Sequence, residues 1–269
     1  MILYESNPKI EKSQTEYRLP VTDYRYYCLF CTLMNNGEPV KHYHHIFFDL
    51  DNTLWDFRTN MKETFAEIFQ ELNLSAISGR FDEFVSLFDK NNEQYWVAYR
   101  KGLVKKEILR IKRFSDTLES LGMYDDDTAM QMADLYLQRV SRKANVFPGV
   151  HETLAYLKEK YALYIITNGF VEIQTNKLES SGLSSYFSRI FMAEATGFQK
   201  PDKRFFHHAL SSVNAKKSES LMVGDDMEAD ILGAKEAGID QVFFNPLGIK
   251  HEIPVTYEIN SIDELRIML

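Results

Sequence analysis

Acidic and other polar side chains follow four short apolar segments of this chain. Carboxylates that lie close together repel one another unless a cation separates them, and a set of hard oxygen ligands favours Mg²⁺. A metal ion and a lysine together neutralise phosphate oxygens, so that a carboxylate can approach an anionic ester. These residue types therefore suit phosphoryl transfer. They are Asp49, Asp51 and Thr53 after the first segment, Thr167 and Asn168 after the second, Lys200 after the third, and Asp225 and Asp230 after the fourth.

The pattern of apolar residues predicts the elements that must position these side chains. Short continuous apolar runs are typical of strands buried on both faces of a parallel sheet, and they lie at 46–48, 163–166, 190–192, 221–223 and 242–244. Amphipathic helical patterns separate the last four runs, at 169–180, 202–212 and 226–237. Gly182 and Gly238 fall where helices commonly end. The alternation predicts a doubly wound parallel α/β sheet, in which ligands bind at the carboxyl ends of the strands.

One connection in this plan is much longer than the others. Residues 57–145 carry no strand signal, and their apolar residues recur at spacings of three and four, which predicts about four helices. We expect this insertion to form an α-helical cap over the carboxyl ends of the strands. The predicted domains are therefore an α/β core at 41–56 and 146–269, a cap at 57–145, and a loosely attached arm at 1–40.

Four short motifs resemble those of the haloacid dehalogenase-like (HAD) hydrolase superfamily, in the same order. They are D-x-D-x-T at 49–53, T-N-G at 167–169, K-P at 200–201 and G-D-x-x-x-x-D at 224–230. The resemblance covers roughly residues 45–250. It implies a Rossmann-like core and a Mg²⁺-dependent phosphatase that acts on a small-molecule phosphate ester through an aspartyl-phosphate.

The resemblance also implies the roles of individual residues. Asp49 would be the nucleophile, and Asp51 would protonate the leaving oxygen and then activate water. Thr167 and Lys200 would hold the phosphoryl group, together with Asn168 and the N–H groups near it at a helix N-terminus.

The expected cofactor is Mg²⁺. Asp49, the backbone carbonyl of Asp51 and Asp225 would bind it, and Asp230 would orient these ligands. The resemblance gives no role to Asp226. Taken singly, Asp225 and Asp230 could also be acidic residues that favour a helix N-terminus.

Further residues resemble the pyrimidine 5'-nucleotidase branch of the superfamily. They are the run 167–170 with Gln174 and Leu178, and in the insertion the run 107–110 with Arg113 and Phe114. This resemblance implies a nucleoside 5'-monophosphate as substrate. The alternatives are a sugar phosphatase, a phosphoglycolate phosphatase or a sugar phosphomutase, followed by a haloacid dehalogenase or a binding module without catalysis.

Aromatic and basic residues of the insertion are candidates for the substrate pocket. Aromatic rings could stack on a base or sugar, and arginines could bind an anion, but helices also need an aromatic core and a solvated face. The candidates are Tyr95, Trp96, Tyr99, Lys105, Lys106, Arg110 and Arg113.

Composition restricts the partners and the compartment. The formal net charge of −8, from 39 acidic and 31 basic residues, disfavours binding of a nucleic acid polymer. There is no run of about 18 apolar residues, so we expect no membrane span and a cytoplasmic enzyme. The two cysteines, Cys28 and Cys31, could form a zinc site with His42, His44 and His45, but unligated thiols and histidines are the better interpretation.

Overall fold

A computed structural model of the protein describes residues 41–74 and 79–269. Its centre is a parallel sheet of six strands in the order β3-β2-β1-β4-β5-β6. The strands are β1 His45–Phe48, β2 Ala162–Thr167, β3 Arg189–Met192, β4 Ser220–Gly224, β5 Asp240–Phe244 and β6 Tyr257–Ile259. The first five coincide with the predicted runs. Only Ile259 of β6 is fully buried, so this strand has no continuous apolar run that the sequence could reveal.

Both faces of the sheet are apolar, as the unbroken runs predict. On β1, Ile46 and Phe48 pack into one hydrophobic cluster and Phe47 packs into a second. Successive side chains of a strand point to opposite faces, so two clusters require helices on both sides of the sheet. The doubly wound α/β fold is confirmed.

Among the described residues, four α-helices lie between β1 and the rest of the core. They are α1 Phe57–Glu71, α2 Phe81–Arg100, α3 Lys106–Ser120 and α4 Asp126–Val140. Buried aromatic rings hold them together, with Phe65 in contact with the rings of Phe84, Phe88, Phe114 and Tyr136. The inserted helical cap is thereby confirmed, whereas the division of the chain at residues 57 and 145 stays a prediction. The predicted arm, residues 1–40, lies outside the described residues.

The remaining helices cover the two faces of the sheet. They are α5 Val150–Lys158, α6 Val171–Ser180, α7 Ala193–Thr196, α8 Lys203–Ser212, α9 Gly233–Ala237 and α10 Leu265–Met268. A π-helical turn, Met227–Leu232, precedes α9, so the pattern at 226–237 is two helical segments rather than one. Gly182 and Gly238 follow α6 and α9 with φ of 69° and 81°, which explains the glycines there. Within the described ranges, no helix is both long and apolar enough to cross a membrane.

The strand order reverses direction at β1. β2 and β3 lie on one side of β1, and β4, β5 and β6 lie on the other. At such a switch point the loops after two neighbouring strands diverge and leave a crevice at their carboxyl ends. The loops that begin with Asp49 after β1 and Asp225 after β4 are the two that border it.

Candidate active site

Two loops at the switch point are tied together by hydrogen bonds. The N–H of Asp49 donates to the carbonyl of Val223 in β4 (2.9 Å), which extends the ladder one residue beyond β1. The hydroxyl of Thr53, which is buried, donates to Oδ1 of Asp225 (2.9 Å). These bonds fix the two acidic loops side by side.

Three carboxylates meet in this crevice. Asp49, Asp225 and Asp230 each offer an oxygen atom, and these atoms all lie within 4.8 Å of one another. Burial and repulsion between the carboxylates raise the pKa of all three groups, although Lys200 acts in the opposite direction on Asp49 and Asp230. A divalent cation would relieve this repulsion, and the all-oxygen donor set fits Mg²⁺. Asp49, Asp225 and Asp230 are therefore the side chains that could hold the metal.

Lys200 is buried between two of these carboxylates. Its Nζ donates to Oδ1 of Asp49 and to Oδ1 of Asp230, at 2.6 Å in each case. Burial lowers the pKa of Lys200, but the attraction of Asp230 and Asp49 outweighs burial, so the net pKa is raised and the ammonium stays charged. The cation is thus placed beside the predicted nucleophile.

The side chain of Asn168 positions the backbone at Lys200. Its Nδ2 donates to the carbonyl of Lys200 (2.9 Å), and its Oδ1 accepts from the N–H of the same residue (2.8 Å). The Asn168 side chain, which was predicted to contact phosphate, thus already forms two hydrogen bonds with the backbone of Lys200. We assign it the role of positioning the loop that carries Lys200.

Two residues of α6 hold both oxygens of Asp51. Lys177 Nζ donates to Oδ1 (2.5 Å), and Gln174 Nε2 donates to Oδ2 (2.8 Å). Gln174 Nε2 also donates to the hydroxyl of Thr167 (2.7 Å), so it links Asp51 to a predicted phosphate contact. Lys177 lies over the ring of Trp55, 4.2 Å from its centroid.

Sequence reasoning missed Lys177 and gave Gln174 no role in the site. A signal was present, because Gln174 and Lys177 are polar residues three positions apart on a helix face that turns out to be buried. Buried polar side chains on the helix that follows Thr167 point to the same strand-end site as Thr167 does.

The cap closes one side of a cavity of about 200 Å³ whose other side contains the carboxylates. Of the seven cap candidates, Trp96 and Arg113 line this cavity. The other candidates do not line it. Tyr95 donates to Asp116, Tyr99 packs on Phe170, Lys106 pairs with Glu172 and Glu194, Arg110 pairs with Asp134, and Lys105 precedes α3.

Contacts between cap and core surround the cavity. Trp96 of α2 stacks on Phe170, with ring centroids 5.3 Å apart. Arg100 Nη1 lies 3.4 Å from Asp226 Oδ2, and the Arg100 carbonyl accepts a hydrogen bond from Gln199. Asp226, which had no predicted role, also caps the π-helical turn by accepting from two backbone N–H groups.

The weak zinc motif gains no support from the described residues. Cys28 and Cys31 lie outside the described part of the chain. His42 and His44 are exposed, and His45 shares a hydrogen bond with the hydroxyl of Tyr164 (3.1 Å).

The predicted family is confirmed by comparison with known proteins. The family model of haloacid dehalogenase-like hydrolases matches residues 43–238, which include β1, the cap and the acidic loops after β1 and β4. The chain belongs to the haloacid dehalogenase-like hydrolases. The HAD-hydrolase YfnB of Bacillus subtilis is 30% identical over 230 residues, covering 84% of this chain and 95% of YfnB.

Two relatives in this family are named for their substrates. The pyrimidine 5'-nucleotidase PynA of Streptococcus pneumoniae is 31% identical, covering 83% of this chain and 93% of PynA. The pyrimidine 5'-nucleotidase YjjG of Escherichia coli is 29% identical, covering 83% of this chain and 96% of YjjG. A crystal structure of YfnB bound to magnesium superposes with a TM-score of 0.76 at 29% identity, covering 85% of this chain and 99% of that one.

Proposed function

We propose that this HAD hydrolase is a Mg²⁺-dependent phosphatase that hydrolyses a nucleoside 5'-monophosphate through an aspartyl-phosphate on Asp49. The observation that carries the proposal is the meeting of Asp49, Asp225 and Asp230 with Lys200 at the switch point of the sheet. A carboxylate can attack an anionic ester only where positive charge offsets the repulsion. This site combines a buried cation with a set of metal ligands.

The residues of the site divide the chemistry between them. The metal, bound by Asp49, Asp225, Asp230 and the carbonyl of Asp51, would supply positive charge to the phosphate oxygens. Asp49 attacks the phosphorus, and Lys200 binds the equatorial oxygens as charge spreads over them. Thr167 and the N–H groups at the start of α6 bind the remaining oxygens.

Asp51 carries the proton in this mechanism. In the protonated form it donates to the leaving oxygen, and as a carboxylate it then removes a proton from the water that hydrolyses the aspartyl-phosphate. Lys177 and Gln174 hold its two oxygens, so the carboxyl group is oriented before substrate binds. A fixed orientation lowers the entropic cost of proton transfer.

The cavity suits a substrate with a flat, partly apolar group. Phe57, Trp96 and Phe170 contribute rings to its lining, and a nucleobase stacks well on such rings. The nucleotidase names of PynA and YjjG support the same substrate class. Asp51 and the carboxylate cluster argue against dehalogenation, which needs neither a second aspartate nor a metal.

The test is phosphate release in Mg²⁺ from uridine, cytidine and adenosine monophosphates, ribose 5-phosphate and phosphoglycolate. Asp49→Asn protein serves as the blank. Preferential release from pyrimidine monophosphates supports the proposal. Faster release from ribose 5-phosphate or phosphoglycolate would retain the mechanism and reject the substrate. No release from any ester by folded protein would favour a phosphomutase or a binding module.

A further inference from the structure

The cap contains a buried cation that has no counterion among the described residues. Arg113 of α3 is 5% exposed and lines the same cavity as Asp49. Its side chain forms no ion pair with any carboxylate in the described part of the chain, and the one hydrogen bond of the guanidinium there runs from Nη1 to Oδ1 of Asn92 (2.7 Å). A buried charge without an opposite charge is costly, so its presence calls for a reason.

Aromatic rings surround the guanidinium. The centroids of Phe88, Phe114 and Tyr136 lie 5.4, 5.3 and 5.2 Å from its central carbon. Burial lowers the pKa of Arg113 to about 10, so the group remains charged at neutral pH. Contact with ring faces offsets part of the lost hydration, but it does not supply a hydrogen-bond acceptor.

Polar atoms beside Arg113 lack partners. Its Nε and the hydroxyl of Tyr136 are buried and have no hydrogen-bond partner among the described residues, and Tyr136 also lines the cavity. Burying a donor without a partner is costly, so such groups usually bind a ligand or water.

Asn92 adds a further donor to this cluster. An arginine can only donate, so the amide must present its oxygen to Arg113. Its Nδ2 is therefore left to donate elsewhere, and Asn92 lines the cavity. The cluster of Arg113, Asn92 and Tyr136 is rich in donors and poor in acceptors. A complementary ligand carries acceptor oxygens on a compact group.

We propose that Arg113, Asn92 and Tyr136 form the subsite for the nucleobase and that it selects a base with ring carbonyl oxygens, such as uracil. This proposal rests on the proposed nucleotidase function. A diketo pyrimidine presents two carbonyl acceptors to the donors and a flat face to the rings. Adenine has no carbonyl oxygen: its acceptors are ring nitrogens, and the hydrogens of its amino group would face the donors of Arg113 where uracil offers a carbonyl oxygen.

The experiment compares Arg113→Met and Tyr136→Phe with the wild type on uridine monophosphate and on ribose 5-phosphate, which lacks the base. The ratio to be measured is kcat/KM for uridine monophosphate divided by kcat/KM for ribose 5-phosphate. For Arg113→Met we expect this ratio to fall about 30-fold or more, since a charged hydrogen bond to the base is lost. Tyr136→Phe keeps the ring and should lower the ratio about 5-fold. Arg110→Met on the same helix is the matched control and should leave the ratio unchanged.

The ratio separates recognition from folding. If Arg113→Met lowers kcat/KM equally for both esters, or if Tyr136→Phe and Arg113→Met both leave the ratio at the wild-type value, the subsite is rejected. Thermal unfolding shows whether each variant is folded. If Arg113→Met is not folded, the ratio measured for Tyr136→Phe tests the subsite instead. Wild-type protein that cleaves ribose 5-phosphate but not uridine monophosphate would reject the nucleotidase function and this subsite. Wild-type activity on uridine monophosphate with unchanged variant ratios would reject the subsite alone.

Discussion

The buried cations at the carboxyl edge of the sheet have different partners from the buried cation in the cap. At the sheet edge, Lys200 pairs with Asp49 and Asp230, and Lys177 pairs with Asp51. In the cap, the only partners of the Arg113 guanidinium among the described residues are the neutral amide of Asn92 and three aromatic rings. Groups that perform a fixed reaction can be oriented by one another, whereas a group that recognises a variable part of the ligand must keep its donors available. Under the proposed function, this difference means that the core is organised for chemistry and the cap for selection.

The largest expected effect tests the core side of this comparison. Asp49→Asn should lower phosphate release by about 10⁴-fold or more, because an amide of nearly the same shape is a poor nucleophile. Phosphate release with uridine monophosphate measures it, and circular dichroism checks the fold. Asp127→Asn, an exposed residue at the start of α4, is the control. Substantial activity in the Asp49 variant would contradict covalent catalysis.

Metal removal addresses the carboxylate cluster as a whole. We expect EDTA to abolish turnover and added Mg²⁺ to restore it, because the cluster needs a cation to offset its negative charge. Mg²⁺ should also raise the unfolding temperature of the wild type more than that of Asp225→Asn, which loses a ligand. Full turnover in EDTA would show that the core does not depend on a metal.

Lys177→Met tests whether a buried cation of the core acts by orienting Asp51. The substitution keeps most of the unbranched side chain but removes the charged donor to one oxygen of Asp51, so we expect kcat to fall about 10- to 100-fold with little change in KM. Steady-state kinetics on uridine monophosphate and on ribose 5-phosphate should show the same loss for both esters. Lys203→Met, at an exposed position at the start of α8, is the control. A loss confined to one ester would place Lys177 in substrate selection instead.

The smallest expected effect lies in the cap. Trp96→Ala removes a ring that lines the cavity and stacks on Phe170. We expect KM for uridine monophosphate to rise about 5- to 10-fold and kcat to change little, because base stacking contributes roughly 1–3 kcal/mol. Kinetics on ribose 5-phosphate should be nearly unaffected. An equal effect on both esters would contradict a role for the cap in selecting the base.

Most of the core could be predicted from sequence, because its strands and the polar residues that follow them form short local patterns. Five strands appear as unbroken apolar runs; Asp49, Thr167 and Asp225 stand at or just beyond strand ends, and Lys200 follows the short helix after β3. β6 could not be predicted, since its three residues contribute one buried side chain. The split at 226–237 was also missed, because a π-helical segment of six residues is too short to show a period of its own in the apolar pattern.

The cap side of the site was only partly predictable. Apolar spacing identifies four helices, but the faces of α2 and α3 that turn toward the sheet depend on how the helices pack together. Trp96 and Arg113 therefore could not be separated from Tyr95 or Arg110 by sequence alone. The same limit applies to Lys177, whose partner Asp51 is 126 positions away in the chain.

The amide of Gln174 has a consequence for how such a chain can diverge. One nitrogen atom donates to both Asp51 and Thr167, so a substitution of Gln174 would disturb the proposed proton donor and the proposed phosphate contact in a single step. No equivalent residue joins Arg113 to these groups within the described chain. We therefore expect that residues of the cap can be exchanged one at a time, whereas a change at Gln174 alters two residues of the core together.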